Sequence, residues 1–128
     1  MSLIRALDHI NIRTADLAAT KAFFIDVLGL TEGWRPPFPF PGAWLYAGEK
    51  DVVHLVQVDQ PAAASEGSAL DHFAFDIEDY EEALTRVRAT GLKFFETSVP
   101  GSSVKQIFVR ELNGVNIELN WKGPTPRG

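Results

Sequence analysis

Short stretches in which apolar and polar residues alternate are interrupted twice along this chain by segments with helical spacing. The pattern predicts two successive units, each a strand, a helix and three further strands. In the first unit residues 6–13 alternate, with Leu7, His9, Asn11 and Arg13 on one face and Asp8, Ile10 and Ile12 on the other. Asp16 is placed to cap a helix starting at Leu17, in which Leu17, Phe23, Phe24, Val27 and Leu28 recur near helical spacing, and Gly29 is placed to end it. Strands are expected near 31–35, 43–47 and 52–58, the last two joined by a turn over Gly48, Glu49, Lys50 and Asp51. Residues 36–42, PPFPFPG, hold four prolines and are excluded from regular structure, so they are expected as a surface excursion.

The second unit follows a small-residue linker, QPAAASEGS, at 60–68. A strand is expected over 70–77, with His72 sharing a face with Leu70, Ala74 and Asp76 while Phe73, Phe75 and Ile77 face the other way. A helix over 79–90 carries Glu81 and Glu82 at its start and Arg86 and Arg88 near its end, matching the helix dipole, and Gly91 stops it. Strands near 93–96, 104–110 and 115–121 complete the unit, with a turn at Asn113-Gly114. The tail 122–128 is expected to be disordered. The two units repeat in sequence as well: Leu7-Asp8-His9 recurs as Leu70-Asp71-His72, and VVHLVQV around His54 matches NIELNW around Glu118 in pattern. The domain reading is a first module at 5–59, the linker at 60–68 and a second module at 69–121, within one 128-residue domain.

The repeat brings four residues to attention. His9, His54, His72 and Glu118 each lie opposite large apolar neighbours on their strands: Ile10 and Ile12, Val53 and Leu55, Phe73 and Phe75, Ile117 and Leu119. Helices packed on the apolar faces would leave these four on the other side of the sheets, and four ligands would converge if the two units faced each other. Imidazoles and a carboxylate gathered without a cation would be costly to desolvate, so a divalent metal is expected, five- or six-coordinate with an open position. The chain has three histidines and all three belong to this set. His54 is its weakest member, because Val52 and Val56 on its own face suit a plain half-buried strand.

Composition narrows the chemistry. There is no cysteine, so any metal is held by nitrogen and oxygen. A net charge of −5 argues against nucleic acid as a partner. No apolar run approaches the roughly 20 residues that cross a bilayer, and the N-terminus lacks a secretory pattern, so no membrane partner and a cytoplasmic location are expected.

The βαβββ repeats, the opening LDHINIRTADL and FFIDVLGL, and the closing NGVNIELNW resemble the vicinal oxygen chelate superfamily, which includes the glyoxalases, bleomycin resistance proteins and extradiol dioxygenases. The resemblance covers nearly the whole chain. It implies an α+β fold in which two βαβββ modules form a curved, open, barrel-like mixed sheet with a concave metal-binding cleft. His9, His54, His72 and Glu118 match the family's four ligand positions, His54 standing where Glu, Gln or no ligand is more usual. The implied cofactor is one divalent ion among Fe, Zn, Ni, Co and Mn, and the implied partner is a small-molecule substrate bound through adjacent oxygens.

The resemblance implies a metal-dependent isomerase, epimerase or lyase of the glyoxalase I or methylmalonyl-CoA epimerase type, with Glu118 as both ligand and base. Two alternatives stand beside it: an Fe(II) extradiol-type dioxygenase of an aromatic substrate, and a non-catalytic drug-binding protein of the bleomycin resistance type. Arg13 matches a position that holds a glutathione carboxylate in glyoxalase I proteins, although the rest of that pattern is not recognisable. Asn11, Trp34, Phe40, Trp44 and Gln106 are further candidate substrate contacts, with Phe38 and Tyr46 beside the aromatic cluster and Lys105 beside Gln106. A homodimer is expected, with the site either within one chain or shared between two.

Overall fold

The computed structural model describes residues 2–124, so the expected disordered tail lies outside the described residues from 125 onward. The chain forms two compact units, residues 1–62 and 63–128, divided within the small-residue linker. Each unit is a four-stranded mixed sheet with one helical segment, and neither sheet closes into a barrel.

The first unit contains β1 (Ile10–Thr14), α1 (Leu17–Ala22), a π-helical turn (Phe23–Val27), β2 (Thr31–Gly33), β3 (Gly42–Ala47) and β4 (Lys50–Gln57). Its strand order is β1-β4-β3-β2, with β1 parallel to β4 and the other pairs antiparallel. Ile12, Ala43, Leu45, Val53 and Leu55 are buried with Phe23, Phe24 and Leu30, as the alternation requires. Asp16 caps α1 by accepting from the Ala19 N–H, and Gly29 leaves the helical segment at φ 80°.

The second unit repeats the plan with β5 (His72–Ile77), α2 (Tyr80–Thr90), β6 (Phe94–Ser98), β7 (Lys105–Arg110) and β8 (Asn116–Trp121), in the order β5-β8-β7-β6. One face of this sheet buries Ile107, Val109, Ile117 and Leu119 with Leu84 and Val87 of α2. Asp79 caps α2 and Gly91 ends it in the left-handed conformation. Between β7 and β8 the buried carboxylate of Glu111 accepts from the backbone N–H groups of Asn113 and Val115, at 2.8 and 3.1 Å, and from Asn113 Nδ2 at 2.9 Å. Burial nevertheless pushes its pKa up, because three donors only partly replace water.

Four local features differ from the expectation. The first strand of each unit begins late, at Ile10 and His72, because Leu7 and Leu70 have no strand beside them and stay exposed. The first helix changes to a π turn at Phe23, and the wider turn lets the adjacent rings of Phe23 and Phe24 both be buried, edge to face. The β3–β4 turn is only Gly48-Glu49, with Lys50 and Asp51 already in β4. β2 ends at Gly33, since Arg35 precedes Pro36 and is steered away from continued pairing in that short edge strand.

Candidate metal centre

In the first unit, His9 and His54 lie face to face, ring centroids 3.7 Å apart and planes inclined by 18°. His54 follows β4 register opposite Trp44, and its other face stacks on that indole at 4.0 Å and 5°. The His54 ring is therefore packed on both sides, and the residue is only 7% exposed. Its Nε2 meets Asp51 Oδ2 at 2.6 Å. Strict alternation would put residues 51 and 54 on opposite faces of a strand. The β3–β4 register, however, pairs Leu45 with Val53 and Tyr46 with Asp51, leaving Val52 as an extra residue. That bulge turns Asp51 to the His54 side.

His9, one residue before β1, has its Nδ1 against Asp8 Oδ2 at 2.6 Å. Lys50 Nζ donates to Asp8 Oδ1 at 2.5 Å and lies 3.7 Å from Asp51 Oδ1, so one ammonium sits between the two carboxylates that grip the two imidazoles. The Lys50 hydrogen bond, and then that of His9, lower the Asp8 pKa to about 2. The bond to His54 lowers that of Asp51 as well.

In the second unit, His72 Nδ1 meets Asp71 Oδ2 at 2.7 Å, repeating the Asp8–His9 contact. Its Nε2 lies 3.2 Å from Glu118 Oε1. Register places Glu118 opposite Ala74 on β5 and opposite Phe108 on β7, and the Phe108 ring meets the His72 ring edge to face at 5.3 Å. Phe108 in turn stacks on Phe95.

These contacts decide which nitrogens are available. An Nδ1–H donated to a carboxylate fixes the tautomer whose Nε2 carries the lone pair, the arrangement that orients metal-binding histidines. In both units the Asp-His dipeptide supplies it. The Nε2 lone pair of His72 then faces a carboxylate oxygen, acceptor against acceptor, and a proton or a metal ion between them relieves the contact. A separation of 3.2 Å suits two neighbouring ligands of one ion, which stand about 3 Å apart when each bond is about 2.1 Å. An imidazole and a carboxylate are donors of the kind that hold a divalent first-row metal. His54 fits less well: its ring is stacked between His9 and Trp44, and its Nε2 is already engaged by Asp51 Oδ2 at 2.6 Å. Among the described residues no three His, Asp or Glu side chains form a ready metal group.

The other sequence candidates fall in different places. Asn11, Phe40, Trp44 and His54 line one recess of the first unit, together with Arg35, whose guanidinium lies 5.1 Å from the ring centres of both Phe38 and Phe40. Arg13 and Trp34 are exposed and outside that lining; Trp34 packs edge-on to Trp44, and its carbonyl accepts from the Tyr46 hydroxyl. Gln106 accepts from Thr97 Oγ1 at 2.7 Å. Lys105 lies over Tyr80 and Trp121, which places it on the α2 side of its sheet and not beside Glu118. Sequence reasoning assigned no role to Asp8, Asp71, Asp51 or Lys50. The recurring Asp-His pair was the signal for the first two; the bulge that aims Asp51 has none.

Comparison with known proteins agrees with this architecture. The model of the Glyoxalase/Bleomycin resistance protein/Dioxygenase superfamily matches residues 6–119. A lactoylglutathione lyase of Salmonella typhimurium is 29% identical over 119 residues, covering 87% of this chain and 88% of that protein. One of Arabidopsis thaliana is 27% identical over 92% of this chain, which spans only 44% of that longer protein. Among solved structures, the fosfomycin resistance protein FosX of Listeria monocytogenes superposes with TM-score 0.75 at 18% identity, covering 94% of this chain and 96% of that one. A putative glyoxalase family protein of Bacillus anthracis gives 0.78 at 20%, over 96% and 99%. With both sheets, the repeat and nearly the full length matched, the chain belongs to the Glyoxalase/Bleomycin resistance protein/Dioxygenase superfamily.

Proposed function

We propose that this protein is a divalent-metal-dependent enzyme that binds a small substrate through two adjacent oxygens and moves a proton on it, as an isomerase, epimerase or lyase. The candidate ligands are His72 and Glu118 in the second unit and, in the first, His9, which carries the same Asp clamp as His72. The observation that carries the reading is the repeated Asp–His clamp together with the His72 Nε2 to Glu118 Oε1 approach of 3.2 Å. A bound ion of this kind acts as a Lewis acid that holds neighbouring oxygens and eases loss of a proton from the carbon that bears one of them.

The chain's own residues have separable tasks. Asp8 and Asp71 hold the Nδ1 protons and keep each Nε2 lone pair directed outward. Glu118, 7% exposed, keeps a carboxylate where it can accept the transferred proton. His54 and Trp44 wall one side of His9 and limit its ring to one orientation. Proton transfer is favoured over other family chemistries by the lactoylglutathione lyases among the sequence relatives. A second reading, dioxygen-dependent cleavage of an aromatic diol, has the Phe108–Phe95 pair beside His72 in its favour.

The test is metal analysis of anaerobically purified protein and of its His9→Ala, His72→Ala and Glu118→Ala variants, followed by deuterium exchange into hemithioacetal and acyl thioester substrates. One ion per site, lost in the variants, with exchange in the wild type supports the proposal. Full metal retention in all three variants overturns it, and oxygen uptake with a catechol in place of exchange selects the second reading.

A further inference from the structure

The ligand-bearing face of the second unit's sheet continues beyond Glu118 into a recess of about 240 Å³ that the metal chemistry does not use. Its floor is aromatic. Phe95, Phe108 and Glu118 are successive partners across β6, β7 and β8, so they form one row on one face. The Phe95 and Phe108 rings are nearly coplanar in orientation, 9° apart with centroids at 5.0 Å, and the Phe108 edge meets His72. Phe95 is 57% exposed and lies in the row that leads to Glu118.

The rim is charged, and its charges are unequally engaged. Arg110 is paired with Glu66 at 2.7 Å, and Asp71 is committed to His72 at 2.7 Å. The Lys93 ammonium, two residues before Phe95 and on the same face, has no ion-pair partner among the described residues. The volume is below the roughly 300–1,000 Å³ of drug-sized sites and suits a single ring. A flat apolar platform and one unanswered cation at its edge match a ring that carries an anion.

We infer that this recess binds the distal part of the substrate as a single aromatic ring bearing a carboxylate, the ring on the outer face of Phe95 and the carboxylate at Lys93. The inference rests on the proposed function for the identity of the reacting end, but the subsite itself requires no metal. Stacking on an aromatic platform contributes roughly a few-fold to ten-fold in affinity, and a solvent-exposed charge pair roughly two- to five-fold.

The experiment is an amide-resolved NMR titration of metal-free protein with benzoate, benzamide and cyclohexanecarboxylate. Benzoate is expected to shift Lys93, Phe95, Phe108 and Arg110 and to bind several-fold tighter than either analogue. Lys93→Gln should remove the preference over benzamide, and Phe95→Ala the preference over cyclohexanecarboxylate; both side chains are exposed, so folding should survive. Unchanged preferences in these variants, or shifts elsewhere only, overturn the assignment. So does a Phe95→Ala variant that alters oligomeric state without altering benzoate binding, which would give Phe95 to a contact between copies. Benzoate binding in a protein that takes no metal would sink the proposed function and leave the subsite standing. Metal binding without benzoate binding would do the reverse.

Discussion

Replacing His54 with phenylalanine removes both ring nitrogens while leaving a planar ring between His9 and Trp44. Stacking worth about 0.5–1.5 kcal/mol per aromatic contact is largely kept. What is lost is the hydrogen bond from His54 to Asp51, 2.6 Å in the structure. Asp51 is not left stranded, since its side chain is 21% exposed and Lys50 lies 3.7 Å away. The loss is therefore at the lower end of the cost of an unsatisfied charged acceptor, about 1–2 kcal/mol. For a chain of this length that corresponds to a fall in Tm of roughly 3–8 °C. Metal affinity, measured by chelator competition, should change by less than about three-fold, the size of a small positional effect on His9. His54→Ala, which also removes the ring and its two stacking partners, should be less stable than His54→Phe and bind metal more weakly through loss of order at His9. Loss of stoichiometric metal from a folded His54→Phe protein would show that His54 is a ligand and that its ring turns to reach the ion.

Other consequences follow from single contacts. Asp71→Asn keeps the shape of the clamp but weakens the hold on the His72 Nδ1 proton, and should lower metal affinity by about 10–100-fold with a Tm close to wild type. Glu111 has a raised pKa in the folded state, so its contribution to stability is fully present below the unfolded value and is lost as pH rises through the folded one. The stability difference between Glu111→Gln and wild type should accordingly shift in favour of the variant as pH rises above 4.5, by denaturant titration at several pH values; a pH-independent difference would refute this. Gly42→Ala would bring a Cβ to 2.3 Å from the Leu55 carbonyl oxygen and 2.8 Å from the Arg35 guanidinium, and should cost about 1–3 kcal/mol while loosening the aromatic loop.

The fold was legible because its signals are local and repeated. Alternation gave the strands, Asp16 sits where a cap is needed, Gly29 and Gly91 take positive φ, and the Leu-Asp-His triplet marks equivalent points of two units. The candidate ligands were legible only as residue types on faces. Which ring nitrogen is free depends on hydrogen bonds that spacing does not encode. At Asp51 parity points the wrong way until the extra residue Val52 is counted, and a bulge is a property of two strands in register, not of one sequence. The π turn at Phe23, where two adjacent rings are buried, carries no spacing signal of its own. Lys105 stood next to Gln106 in sequence, yet alternation and the attraction of Tyr80 and Trp121 put it on the α2 side.

The most direct test of the central claim is metal stoichiometry in four proteins purified side by side without oxygen: the wild type, His72→Ala, Glu118→Ala and His54→Phe. One tightly held divalent ion is expected in the wild type and in His54→Phe, and none retained through gel filtration in the other two. Equal retention in all four, or loss in His54→Phe alone, would contradict it.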